Sequence, residues 1–206
     1  MKNPKIPIVA VLLFWNTLFF AQNSSPSEYL VLNTGDTIFG KVQYFKEGKV
    51  ISKFYKKVKI IDAEGKRKKY GRKKVSSFKV DGSSYESFWL SQHSYTAPRL
   101  SLGNSRYDID VKKGERHFLK VLSKSEVSHY ELEWIDYDNN DLRSMDLLKK
   151  EGDSFFIRAD KGLLGLRRNV LINYFSNCPL IKEAIKEKKI RTVGQVVGYY
   201  GNHCVD

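Results

Sequence analysis

The strongest constraint on this chain is a change of hydrophobic period near residue 160. From residue 28 to about 158, apolar and polar residues alternate in short runs broken by turn residues; beyond that point apolar residues recur every three or four positions. Period two sets one face of a strand against a core, and a period near 3.6 does the same for one stripe of a helix. The pattern predicts a mainly β (α+β) fold: an antiparallel β meander or partly closed barrel with a C-terminal three-helix tail.

Residues 29–33 and 37–44 flank Thr34-Gly35-Asp36 and read as a hairpin, because glycine accepts the positive φ of a tight turn. Asp81-Gly82 marks a second turn, between strands at 75–80 and 85–90. Further strands are expected at 50–61, 107–111, 117–122, 129–135 and 155–158. In the tail, Leu166, Val170, Leu171, Tyr174 and Phe175 outline one helix. Leu180, Ile181, Ala184 and Ile185 outline a second, which Pro179 can start because its missing N–H is harmless in a first turn. Thr192 and Gln195 form a capping-box pair ahead of Val193, Val196, Val197 and Tyr200, with Gly201 as the stop. No repeat or flexible linker intervenes, so a β-rich domain (22–161) is expected to carry the tail (162–206) packed on it.

Residues 1–21 read as a signal peptide. Lys2 and Lys5 precede an apolar run that ends at Ala21, before Gln22-Asn23-Ser24-Ser25. Counted from Ile6, the run has 16 residues, with Pro7 and Asn16 inside it, against about 20 for a spanning helix. A retained N-terminal anchor is the alternative. No cysteine follows the run to carry acyl chains, and no second long apolar stretch occurs. The expectation is an exported protein, periplasmic, outer-envelope-associated or secreted, with no transmembrane segment after cleavage.

Several segments carry a resemblance: Tyr29 to Val42 with its Gly35-Asp36-Thr37-Ile38 core, Phe78 to Gly82 with Tyr85-Glu86-Ser87, Tyr174-Phe175-Ser176-Asn177-Cys178-Pro179-Leu180, and Tyr199-Tyr200 with Cys204. In these the chain resembles exported β-rich envelope proteins of the Bacteroidetes type over most of its mature length. Such proteins often have Asp before the Cys-Pro pair, where this chain has Asn177. The resemblance implies an exported or envelope location and no particular chemistry.

Cys178 and Cys204 are the two cysteines of the chain. In an oxidising compartment they are expected to pair, the alternatives being free or intermolecular thiols; redox catalysis would favour a Cys-X-X-Cys spacing, which is absent. On the chain-entropy view such a bridge restrains the unfolded tail by about 3.5 kcal/mol.

Charge is the main functional signal. The chain has 36 Lys and Arg against 23 Asp and Glu, and residues 41–74 alone hold 14 of the former and 3 of the latter. The candidate ligand-binding residues are Lys53, Lys56, Lys57 and Lys59, then Lys66, Arg67, Lys68, Lys69, Arg72, Lys73 and Lys74, with Gly65 and Gly71 suggesting a hairpin tip or loop. Such a cluster concentrates polyanions, which outside the cytoplasm means anionic lipid head groups or acidic glycans; export argues against nucleic acid. A solvated face that keeps strand edges from aggregating explains the same residues.

Other constellations point elsewhere. In residues 129–134, alternation puts His129, Glu131 and Glu133 on one face and Tyr130, Leu132 and Trp134 on the other, as in a half-buried strand. Asp136, Asp138 and Asn140 match the first oxygens of a calcium loop, but Asp141 replaces the glycine of its sharp turn and Leu147 the closing glutamate, so a polar turn is the simpler reading. Glycine-loop, zinc-protease and serine-elbow motifs are absent, and no cofactor is expected. The reading is a non-catalytic envelope binding or interaction protein of unknown protein partner. The alternatives are a hydrolase with dispersed carboxylates, such as Asp108 with Asp110 or Glu131 with Glu133, and a purely structural assembly component.

Overall fold

The computed structural model describes residues 28–43, 57–92, 106–136 and 141–205. The signal-peptide reading and the cations Lys53 and Lys56 fall outside these residues. The strands are β1 (Tyr29–Leu32), β2 (Thr37–Gln43), β3 (Lys57–Asp62), β4 (Arg67–Gly71), β5 (Val75–Val80), β6 (Ser83–Gln92), β7 (Arg106–Ile109), β8 (Glu115–Ser123), β9 (Val127–Asp136), β10 (Asp141–Lys150) and β11 (Phe155–Arg158), and a 3₁₀ turn at Arg72–Lys74 joins β4 to β5. Three helices follow: α1 (Arg168–Tyr174), α2 (Pro179–Lys186) and α3 (Val193–His203). The expected mainly β fold with a three-helix tail is what forms.

Every strand pairing is antiparallel, in the order β4-β3-β2-β1-β5-β6-β7-β11-β10-β9-β8, and β8 returns to pair with β6. The last six strands in that order thus close a barrel. Its interior is filled by the inward positions of each strand, among them Leu90, Leu119, Leu132, Leu147 and Phe156. Phe88, Tyr130 and Phe156 meet edge-to-face in a triangle with centroids 5.0 to 5.4 Å apart, the arrangement that aromatic quadrupoles favour.

The outside of the barrel is buried on two flanks. On one, β1 to β5 roll over β6 and β8 and enclose Leu30, Val42, Val58, Ile60 and Phe78. Phe78 stacks on Tyr85 at 4.8 Å and meets Phe118 edge-on at 5.0 Å, so residues of the barrel complete the core of the roll. β2 serves both parts of the roll, pairing with β1 up to Phe39 and with β3 from Gly40 onward. Gly40 sits at that changeover with φ 152°, and a Cβ there would lie 2.1 Å from the Ile61 carbonyl oxygen. Only glycine permits that approach. Glu28 secures the bend, its carboxylate accepting from the N–H groups of Val42 (2.7 Å) and Asp81 (3.2 Å).

On the other flank the helices pack Leu171, Phe175, Ile181, Ile185 and Val196 against Val127, Leu148 and Ile157 of the barrel. Cys178 and Cys204 form a disulfide across a sequence separation of 26. Lys150 leaves the end of β10 and enters the tail, where its ammonium lies 4.7 Å from the Tyr174 ring, 5.1 Å from Phe175 and 5.6 Å from Tyr200. It also donates to the Tyr174 carbonyl at 2.9 Å. The capping box forms as expected, Gln195 N–H donating to Thr192 Oγ1 at 3.2 Å. Gly201 does not stop α3, which runs to His203; the Cys204 N–H still bonds the Tyr200 carbonyl at 2.9 Å, and the disulfide holds this last turn. No helix among the described residues is long and apolar enough to cross a membrane.

Candidate functional site

The described part of the cationic segment includes a hairpin, and alternation sorts its charges by face. Val58 and Ile60 of β3 point into the core with Val42, which turns Lys57, Lys59 and Ile61 outward. Register places Lys69 beside Lys59, Arg67 beside Ile61 and Lys41 beside Ile61 on its other side. Lys41, Lys57, Lys59, Arg67 and Lys69 therefore share the outward face of β2, β3 and β4. Neighbouring positions on such a face stand about 4.8 Å apart across strands and about 6.6 Å apart along them. None of the described outward positions of these strands is acidic.

The remaining described cations of the segment are deployed differently. Lys68 lies on the opposite face and binds Asp62 at 2.9 Å. The Lys68 hydrogen bond, with backbone N–H groups of Lys66 and Glu64, holds the Asp62 carboxyl below its ordinary range against the opposing effect of burial. Lys66, in the turn, pairs with Glu64 at 2.7 Å. Arg72 reaches Glu115 of the barrel at 3.8 Å. Lys73 and Lys74 are exposed, and their carbonyls accept from the side chain and backbone N–H groups of Asn33 at 2.6 and 3.0 Å. The expected loop at Gly71 is instead the end of β4, since an edge strand with one solvated face needs no apolar alternation.

Arg116 carries no signal in the sequence. It is buried between roll and barrel and donates to the Lys73 carbonyl (2.9 Å), to Asn33 Oδ1 (2.7 Å) and to Ser87 Oγ. It locks the 3₁₀ turn to β8, so the hairpin is carried on a fixed base.

At the barrel end where β8 begins, a cavity of about 480 Å³ opens over Leu90, Tyr107, Leu132, Trp134 and Met145. Its polar lining includes Lys113, Glu115, His117 and Glu133. Burial, with the Arg72 guanidinium, lowers the His117 pKa below its ordinary value, and Glu115 opposes this only in part. The Glu115 side chain is 73% exposed, so it stands at a rim open to solvent, not in the water-excluded setting that acid–base catalysis uses. The other carboxylates considered from sequence have structural partners or positions. Asp108 pairs with Arg106 at 2.8 Å, Asp110 caps the turn through the N–H groups of Lys112 and Lys113, and Glu131 pairs with Lys120 at 3.5 Å. His129 bonds Asp146 at 2.8 Å, on the barrel exterior with Glu131.

Asp138 and Asn140, with the side chain of Asp136, lie outside the described residues; the backbone pairs Asp136 with Asp141 as the base of a hairpin. Among the described residues, no three His, Cys, Asp or Glu side chains are grouped to hold a metal. Comparison with family models, curated proteins and solved structures gives no match to this chain.

Proposed function

We propose that this is an exported, non-catalytic envelope protein that docks on an anionic surface, lipid head groups or an acidic glycan, through the outward face of its β2–β4 hairpin region. The observation that carries this reading is the gathering of Lys41, Lys57, Lys59, Arg67 and Lys69 on one face of three adjacent strands. The resemblance to exported envelope proteins supports the location. Each such cation near an anionic membrane contributes about 1 kcal/mol, and the attraction fades over a Debye length of about 8 Å at physiological salt. Five together suffice for reversible, salt-sensitive docking.

Retention on anionic vesicles and on an immobilised acidic glycan, across a salt series, tests this. A Lys57→Glu/Lys59→Glu/Lys69→Glu variant should lose retention at least about a hundredfold at low salt, since three charges are reversed. A Lys66→Glu/Lys68→Glu variant, altered at positions off the outward face, should lose less. Equal retention of wild type and the triple variant on both supports would remove the hypothesis.

A further inference from the structure

The loop after β11 carries a feature that the basic hairpin does not explain. Leu163 and Leu164 are the most exposed large apolar side chains among the described residues, at 106% and 85% of their reference surface. Exposed leucines are ordinary when scattered; two in succession on a tight tip are not. The tip is firmly built. Gly162 and Gly165 take positive φ of 62° and 80°, and Lys161 N–H donates to the Gly165 carbonyl at 2.6 Å. Asp160, buried at the base, accepts from the N–H groups of Gly162 (2.5 Å) and Asp146 (2.9 Å) and lies 3.3 Å from Arg158. Leu166 is buried in the helical core, so the loop is anchored on both sides and projects only its tip.

The surroundings of the tip are cationic. Lys161, Arg167, Arg168 and Lys188 line the shallow groove beside Leu164. Asp160, the acid at the base, is turned inward. Antiparallel order also fixes where the loop emerges: β11 ends at the barrel end where β8 begins, and there the 3₁₀ turn with Arg72 contacts Glu115.

We infer that the 160–166 loop is a membrane-insertion finger: Leu163 and Leu164 enter the interfacial layer of a bilayer while Lys161, Arg168 and Lys188 meet anionic head groups. An apolar tip ringed by cations is the composition that an interfacial anchor requires, combining apolar burial with attraction to anionic lipid. This deepens the proposed docking by naming a lipid bilayer as the surface. It rests on that reading only for the location.

The test uses the full mature chain and vesicles of phosphatidylcholine with one-third phosphatidylglycerol. Leu163→Ser/Leu164→Ser should weaken binding by roughly tenfold to a hundredfold, as expected from the apolar area no longer buried, and leave the salt slope unchanged. Leu163→Trp should bind like wild type, and its added emission should shift to the blue and be quenched by brominated lipid. A double-serine variant that binds like wild type, or an indole probe of the Leu163→Trp variant that stays unquenched on bound protein, overturns the finger. Because the leucines point to solvent, these variants should fold, which an unchanged melting temperature checks. Hairpin variants separate the two readings: loss with Lys57→Glu/Lys59→Glu/Lys69→Glu but not with the serine pair sinks the finger and keeps the hairpin, and the reverse sinks the hairpin alone. Hairpin-dependent retention on acidic glycan with no vesicle binding also sinks the finger.

Discussion

The two flanks of the barrel solve the same burial problem by different means. The roll of β1 to β5 brings a nearly complete core of its own, centred on Phe78, Ile60 and Val58, and borrows Tyr85 and Phe118 from the barrel. The helical tail packs on Val127, Leu148 and Ile157 of the barrel, and its helices have only 7, 8 and 11 residues. Helices this short are marginal alone. The tail accordingly carries the cross-links: the disulfide, the Lys150 ammonium among three aromatic rings, and the Tyr174 hydroxyl that donates to Asp153 at 2.6 Å and accepts from the Lys150 N–H at 2.7 Å. Short helices that bury a shared core are held by covalent and polar ties; the strand-paired roll leans more on backbone shape.

The largest expected effect lies on the tail. Cys178→Ser/Cys204→Ser should lose about 3.5 kcal/mol in denaturant unfolding, and hydrogen exchange should accelerate in α1 to α3 while the roll keeps its protection. Acceleration spread evenly over both flanks would mean that the contrast is wrong. Next comes Gly40→Ala, which places a Cβ against the Ile61 carbonyl at a positive φ and should cost about 3 kcal/mol. Here the exchange pattern should invert, with the roll opening and the tail unaffected.

The smallest effect concerns acid. His117 has its pKa lowered by burial and by Arg72, so the folded state favours neutral imidazole. Its contribution is complete above the unfolded value near 6.5 and is lost as pH falls from there towards the folded value, by at most about 1.4 kcal/mol per pH unit. Stability measured from pH 7 to 5 should fall less steeply in His117→Gln. An unchanged slope would show that the cavity end of the barrel is not the acid-sensitive part.

How far the fold is legible follows from where each strand's two faces end up. β9 shows clean alternation because Tyr130, Leu132 and Trp134 face the barrel interior while His129 and Glu131 face out. β10 escapes a reading by period. Its inward positions at the cavity end include Arg143, and Leu148 on its other face is buried under the helices, so apolar residues occur on both faces and period two disappears. β4 escapes because an edge strand covered with cations resembles a loop in composition. Closure of the barrel by β8 on β6 is a pairing between distant segments that no local pattern encodes. The clustering of cations is visible in the sequence; their division between two faces is not, since it depends on the register of β3 with β4. The leucine finger carries no period at all, and its exposure emerges only from the anchoring of Asp160 and Leu166.

The bend in β2 has a mechanical consequence. Because one strand belongs to both parts of the roll, and the Glu28 carboxylate ties its far side to the turn at Asp81, a pull on the hairpin is shared between Gly40, the β5–β6 corner and the Arg116 lock on β8. A load on the outward lysines would thus meet a hinge already braced from behind.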